Sequence, residues 1–271
     1  MEFLTQLFRG DCSYSAINTA KAMLRNFVQL QAPDSWDDPI FTRFLKGVYN
    51  LRTPKPKHTF TWDVSQVLTY LEQFYPNNLI TLKEITLKTC MLIALSSGHR
   101  AQSIHALNLD NCTDQHNSMS FTFSELLKNS KPGVGNVLHI HRYNDNDNLC
   151  VYLALQSYIQ RTASFRKSNK LWLSFNKPHL PVTRQSISRW LKTTLQAAGI
   201  DTSIFQGHST RMASTSKAAA VGLNIDVIIQ TAGWSAATNF KKFYYRNTTP
   251  NTAMTQGSIA FQTAVLKQHK V

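Results

Sequence analysis

Acidic residues are scarce in this chain. Its 271 residues hold 15 Asp and Glu against 29 Lys and Arg, a formal net charge of +14 at pH 7. An excess of that size points to a polyanionic partner. The lysines and arginines are scattered along the chain, which assigns the charge to folded surfaces and not to a tail. No lipid-binding segment accompanies them, so nucleic acid is favoured over a membrane surface. Cysteine is also sparse. Cys12, Cys90, Cys112 and Cys150 stand far apart, with no Cys-x-x-Cys pair and no matching His pair. That spacing argues against a zinc site and against a disulfide framework, and reduced thiols are expected. No apolar run reaches the roughly 18 residues of a membrane span, and no charged-then-apolar leader opens the sequence. A soluble, intracellular protein without a signal peptide is the expectation.

The chain is long enough for two domains, and its composition breaks at Leu51-Arg52-Thr53-Pro54-Lys55-Pro56-Lys57-His58. Two prolines at alternate positions forbid helix and favour an extended, basic connector, placed at 53–59. Before it, helices are expected around Met1–Phe8, from Ser13 or Ser15 to Gln29, and from about Asp38 to Tyr49. Ile17, Ala20, Leu24 and Phe27 recur at helical spacing in the second, and Ile40, Phe44, Leu45 and Val48 in the third. Residues 1–52 therefore read as a small helical module. After the connector, Asp63 is expected to cap a helix to about Tyr75. Another runs from about Thr81 to Ser97 with Cys90–Leu95 apolar on every side, the mark of a helix buried in its domain. Gly98 stops it and leads into His99-Arg100. Ser118–Phe123 and Val137–Ile140 alternate as strands around a glycine-rich turn, Lys128–Gly135, and predict a β-hairpin. Helical patterns return at Leu149–Ser164 and Thr183–Ala198, the latter presenting Ile187, Trp190, Leu191 and Thr194 on one face. Residues 208–246 read as helical with breaks at Gly222 and Gly233. The fold class is mainly α with a small antiparallel β-sheet.

Chemistry-bearing residues concentrate near the end: Gly207-His208-Ser209-Thr210-Arg211, then Ala232-Gly233-Trp234-Ser235, then Phe240-Lys241-Lys242-Phe243-Tyr244-Tyr245-Arg246. An imidazole, a guanidinium, an indole N–H and a phenol arrive in a fixed order. A phosphodiester under attack needs such a set: donors for the charged non-bridging oxygens, a proton-transfer group and an oxygen nucleophile. Taken singly, each residue has a plainer explanation. Arg100 could cap the carbonyls of the preceding helix, Trp234 could be core, and Lys128 and Lys131 could be solvated turn charges.

In their order, these residues resemble the tyrosine recombinase (phage integrase-like) family over about 60–246. The order is Arg at a buried helix end, Lys in a hairpin, His-x-x-Arg at a helix start, Trp, then Tyr. The Trp-Ser…Phe-x-Lys-Phe-Tyr wording is similar to the recombinases of DIRS-like retrotransposons. The resemblance implies the catalytic-domain fold of that family at 60–246, preceded by a short core-binding-like DNA clamp at 1–52 and followed by a tether and C-terminal helix at 247–271. It implies site-specific recombination or integration of double-stranded DNA by a set of six residues: Arg100, Lys128, His208, Arg211, Trp234 and Tyr244. Arg100 and Arg211 would hold the non-bridging oxygens with planar, permanently charged forks that lysine cannot reproduce. Trp234 would donate its indole N–H to one of those oxygens. His208 would bond the scissile phosphate or accept the phenol proton. Lys128, with Lys131 as alternative, would protonate the leaving 5′ oxygen. Tyr244 would attack phosphorus and form a 3′-phosphotyrosyl link, which stores the phosphodiester energy, so that no metal and no cofactor is needed. Adjacent helical residues point about 100° apart, so only one of Tyr244 and Tyr245 can serve. The spacing of ten from Trp234, the DIRS-like spacing, favours Tyr244, with Tyr245 as the alternative.

Two departures stand out. Ser103 occupies the place, three after Arg100, where most relatives carry an acid. The module at 1–52 is about half the length of the family's helical core-binding domain, which suggests a truncated copy. Homo-oligomers on paired DNA sites are expected, with nuclear localisation in a eukaryotic host. The rival readings are a catalytically silent DNA-binding relic of a mobile element, a type IB topoisomerase-like enzyme, and an unrelated basic helical scaffold.

Overall fold

The computed structural model describes residues 1–31, 39–54, 60–125 and 137–233, with backbone only at 26 and 28–31. The chain divides into two compact units, Met1–His58 and Thr59–Val271.

In the first unit three helices pack together: α1 (Glu2–Arg9), α2 (Tyr14–Gln31) and α3 (Pro39–Leu51). Leu4, Ile17 and Val48 form their buried centre, with Ala20, Leu24, Phe44 and Leu45 packed around it. Arg52 ties the ends of the unit, its guanidinium 4.1 Å from the centroid of the Phe8 ring and donating to the Cys12 carbonyl at 2.8 Å and Asp11 Oδ1 at 2.9 Å. Two of the expected core positions are corrected. Phe27 is 69% exposed and Ile40 49% exposed. Phe27 lies ten residues, about 15 Å of helix axis, beyond Ile17, farther than the eight-residue α1 extends. Ile40 sits in the first turn of α3, two turns before the buried Val48.

The second unit is built around α5 (Leu82–Ser97), whose residues are buried on nearly every side. Its start is fixed by a reciprocal cap: Thr81 Oγ1 accepts from the Glu84 N–H, and the Thr81 N–H donates to Glu84 Oε2 at 2.7 Å. Those bonds to Thr81 hold the Glu84 carboxyl below its ordinary pKa. One cation lies inside this apolar helix. Lys88 is 1% exposed and donates to the Phe74 carbonyl at 2.5 Å and to Asn77 Oδ1 at 2.9 Å. Burial lowers its pKa to about 8. Helices α7 (Val151–Thr162), α8 (Arg184–Ala197) and α9 (Ser209–Ala220) pack on α5, and α4 (Val64–Glu72) packs against α8 and α9. Asp63 caps α4 as the sequence predicts, accepting from the Ser65 N–H at 2.9 Å. On α8 the expected face, Ile187, Trp190, Leu191 and Thr194, is buried.

The sheet has three antiparallel strands in the order β1 (Cys112–Gln115), β2 (Ser118–Thr122), β3 (Val137–His141). Met119, Phe121, Leu138 and Ile140 point to the core. Thr122 pairs with Val137 and Ser118 with His141, so the two predicted strands are partners. Their turn, Lys128–Gly135, lies outside the described residues, as does 55–59 of the connector. Strand β1 was not expected. It is polar and largely exposed, and an outer strand of that kind carries no apolar alternation to betray it. The short α6 (Ala101–His105), directly after Arg100, was also missed. Helix α10 (Ile225–Thr231) completes the described chain. The breaks predicted at Gly222 and Gly233 fall at left-handed residues, φ 89° and 64°.

Gly207 fixes how closely α9 starts against α8. A Cβ there would meet the Ser188 carbonyl oxygen at 2.6 Å and Leu191 Cβ at 3.2 Å. Gly207→Ala is expected to destabilise the protein by about 1–3 kcal/mol. Gly47→Ala, in the interior of α3 with nothing within 4 Å, should be neutral or stabilising. Chemical denaturation of both variants checks the contrast.

Candidate active site

The site forms where α5 ends. Gly98 closes that helix at φ 60°, its N–H donating to the Ala94 carbonyl at 3.1 Å. Space is tight there. A Cβ on Gly98 would lie 3.1 Å from both Ala232 Cβ and Thr215 Cγ2, so the end of α5, the middle of α9 and the end of α10 abut at one point. Only glycine combines that approach with a left-handed backbone.

Arg211 joins the same three segments. It is 3% exposed, and its Nη1 donates to the Gly98 carbonyl and to the Ala232 carbonyl, both at 2.6 Å. Arg100, two residues after Gly98, is the half-buried N-cap residue of α6. His208 is exposed at the N-cap of α9, one turn before Arg211. The start of α9 is pinned from two directions. Trp62 Nε1 donates to Ser209 Oγ at 2.9 Å, a buried bond across 147 residues, and Thr210 Oγ1 donates to the Gly207 carbonyl at 2.8 Å. No acidic residue lies in the first turn of α9, where the unpaired N–H groups of a helix favour an anion.

Of the six residues predicted from sequence, Arg100, His208 and Arg211 are described. Gly98 brings the first and last of these to one helix end, and His208 shares a helical turn with Arg211. Lys128, Trp234 and Tyr244 lie outside the described residues, as do the alternatives Lys131 and Tyr245 and the C-terminal helix. Ala232, the acceptor for Arg211, stands two residues before Trp234 in sequence. Ser103 is 7% exposed within α6, at the position where an acid was looked for.

Two participants escaped the sequence reading. Trp62 has no local signal, because its partner is 147 residues away. His99 stood beside Arg100 in plain view but fitted no chemical role. It is 9% exposed and stacks on Phe123, ring centroids 5.8 Å apart and planes 19° apart. Burial lowers its pKa to about 4. The bond to the Ser97 backbone opposes that, and the nearby charges of Arg211 and Arg100 add to it.

The comparisons with known proteins agree with this architecture. Residues 63–250 match the phage integrase family, and the chain belongs to that family. Its fold is that of the tyrosine recombinase catalytic domain, shared with solved structures of low sequence identity. The XerH site-specific recombinase bound to difH substrate matches with a TM-score of 0.59 and 10% identity, over 89% of this chain and 64% of that one. The chain thus spans less than two thirds of XerH. The Tn1549 transposon integrase in complex with transposon right end DNA gives a TM-score of 0.58 and 17% identity, over 94% and 82% of the two chains. The XerA recombinase gives 0.52 and 16%, over 99% and 90%. No curated protein matches the sequence significantly.

His99 makes a pH prediction. An imidazole with a folded pKa near 4 and an ordinary unfolded value near 6.5 binds fewer protons folded than unfolded between those limits. Its contribution is complete above about pH 6.5 and is lost as pH falls toward 4. The slope from this group approaches one proton, about 1.4 kcal/mol per pH unit. Urea denaturation between pH 6.5 and 4 should show a shallower slope in His99→Phe than in the parent; an identical slope would show that His99 does not titrate this way.

Proposed function

We propose that this protein cuts and rejoins double-stranded DNA as a tyrosine recombinase, through a 3′-phosphotyrosyl intermediate. The observation that carries the reading is the joint held by Arg211. It packs the His208–Arg211 turn against the end of α5 that bears Arg100, inside a chain of the phage integrase family. Two guanidinium groups, an exposed imidazole and a helix start without acids make a phosphate-binding floor.

In this reading Arg100 and Arg211 neutralise the charge that grows on the non-bridging oxygens during in-line attack, with Trp234 as a further donor. His208, exposed at the N-cap, bonds the phosphate or takes the proton of the nucleophile. Tyr244 attacks phosphorus, the 5′ oxygen leaves with a proton from Lys128 or Lys131, and the 3′ phosphate stays on the phenol. A 5′ hydroxyl attacking that link in the reverse direction rejoins the strand, so both bonds are conserved in number and no energy source is consumed. The DNA-bound XerH and Tn1549 structures support double-stranded DNA as the partner. The excess of 14 positive charges supports binding dominated by phosphate contacts and steeply weakened by salt. Residues 1–52 would complete a clamp on the duplex, and the C-terminal helix expected within 247–271 would bridge protomers on paired sites. The Trp-to-Tyr spacing of ten supports a place among DIRS-like recombinases, acting in the nucleus of a eukaryotic host.

A nicked suicide duplex tests the reading, because loss of a short 5′-hydroxyl strand traps the covalent link. The parent protein should form a DNA adduct resistant to denaturant, and Tyr244→Phe should abolish it while leaving DNA binding nearly unchanged. An adduct that persists in Tyr244→Phe and disappears in Tyr245→Phe moves the nucleophile by one residue. A parent that binds the duplex and never forms an adduct is a silent DNA-binding relic, and full turnover by a monomer on a single site places it with type IB topoisomerase-like enzymes.

A further inference from the structure

Trp62 is a core residue with a polar edge. Its ring is 5% exposed and packs in the main core of the second unit, a task that phenylalanine would perform as well. What the indole adds is a donor. Nε1 donates to Ser209 Oγ at 2.9 Å, and Ser209 is itself 3% exposed. A buried donor left unmet is costly, so this pair ties two distant segments by a bond that has a direction.

Ser209 directly follows His208. The bonds inside this turn run from the Ser209 N–H to the Gln206 carbonyl and from Thr210 Oγ1 to the Gly207 carbonyl, both at 2.8 Å. They shape the turn without orienting it in the unit. Phe205 and Met212 on either side are held in the core, and apolar burial is non-directional; it sets the depth of the turn more than its rotation. The indole bond sets the rotation. His208 has φ −72° and ψ −16°, so the helical backbone extends back to it, and successive residues stand about 100° apart around the axis. Fixing Ser209 around that axis therefore fixes the direction in which the His208 side chain leaves. The donor's own segment is secured along α9: Phe60 meets Phe205 edge-on with ring centroids 5.6 Å apart, and Lys217 donates to Ser65 Oγ at 2.8 Å. Arg211 is anchored separately, on Gly98 and Ala232, which leaves His208 as the site residue that the indole bond governs.

We propose that Trp62 is a positioning residue for the reaction: its N–H, through Ser209, aims His208 at the phosphate-binding floor. The proposal rests on the recombinase reading above. Trp62 touches no substrate. Its ring serves the core and its nitrogen serves the site, so the two tasks separate by substitution.

The test is a double-mutant cycle in single-turnover adduct formation on the nicked suicide duplex, with the full chain held well below its thermal transition. Trp62→Phe keeps an aromatic ring in the core and removes the donor; Ser209→Ala keeps the indole and removes the acceptor. Each should slow adduct formation about tenfold while changing duplex affinity by less than about twofold, and the two together should be no slower than either alone. In a His208→Ala background, Trp62→Phe should add little further loss, because there is no imidazole left to aim. A merely structural defect would slow both backgrounds by the same factor. Equal slowing in the two backgrounds, or parental rates in both single variants, would overturn the proposal. Amide hydrogen exchange without DNA gives an independent arm. Both single variants should speed exchange at Ser209 and Thr210 and leave α7 unaffected; unchanged exchange at those two amides would also overturn it. A parent protein that forms no adduct refutes the recombinase reading instead, and the exchange result still decides whether Trp62 holds this turn.

Discussion

The buried guanidinium of Arg211 is the interaction on which the rest of the site depends. Placing a permanent charge at 3% exposure is costly unless its donors are met, and here one nitrogen serves two backbone carbonyls, Gly98 and Ala232. Hydrogen bonds from a charged donor contribute about 1.5–3 kcal/mol each. Their greater consequence is geometric. Carbonyl oxygens cannot drift as side chains do, so the end of α5, the first turn of α9 and the end of α10 are held at fixed separation. Lysine offers a single ammonium on a flexible stem and cannot reproduce a planar fork with several donors.

The sequence around this joint is shaped to permit it. Gly98 turns left-handed where any Cβ would press on Ala232 and Thr215. Gly207 lets α9 begin in contact with α8. Helix α9 itself is rich in small and hydroxylated residues, with Ser209, Thr210, Thr215 and Ser216 all buried. Thr210 and Thr215 bond locally, to the Gly207 carbonyl at 2.8 Å and the Arg211 carbonyl at 2.7 Å, so these buried hydroxyls are satisfied within the helix that approaches α5. The indole of Trp62 closes the arrangement on Ser209. In the proposed mechanism, stability and chemistry draw on the same residues, which would explain why so polar a helix lies inside the unit.

Much of this was legible before any coordinates. The all-round apolar run of α5, the periodic apolar face of α8, the cap Asp63, and the stops at Gly98, Gly222 and Gly233 are local signals, and local signals survive in sequence. Strand β1 left none, being polar and exposed. Phe27 and Ile40 kept the helical spacing of core residues yet lie outside the packed centre, because periodicity fixes the face of a helix but not how far its partners extend along it. The order Arg100, His208, Arg211 was readable, but its convergence was not. Arg211 meets Gly98 across 113 residues and Trp62 meets Ser209 across 147, and nothing local encodes such pairs. His99 was visible as a residue, but its burial and its stacking on Phe123 were not.

The central claim is that Arg211 both holds the joint and answers charge on a phosphate. A methylphosphonate at the scissile position tests it directly, since a methyl group replaces one charged non-bridging oxygen. With Arg211→Ala, shown to be folded by its thermal transition, adduct formation on the normal phosphate should fall by about 100- to 1,000-fold. On the methylphosphonate, where less charge awaits neutralisation, the same substitution should cost far less. An equal loss on both substrates would mean that Arg211 only holds the fold together, and would contradict the account.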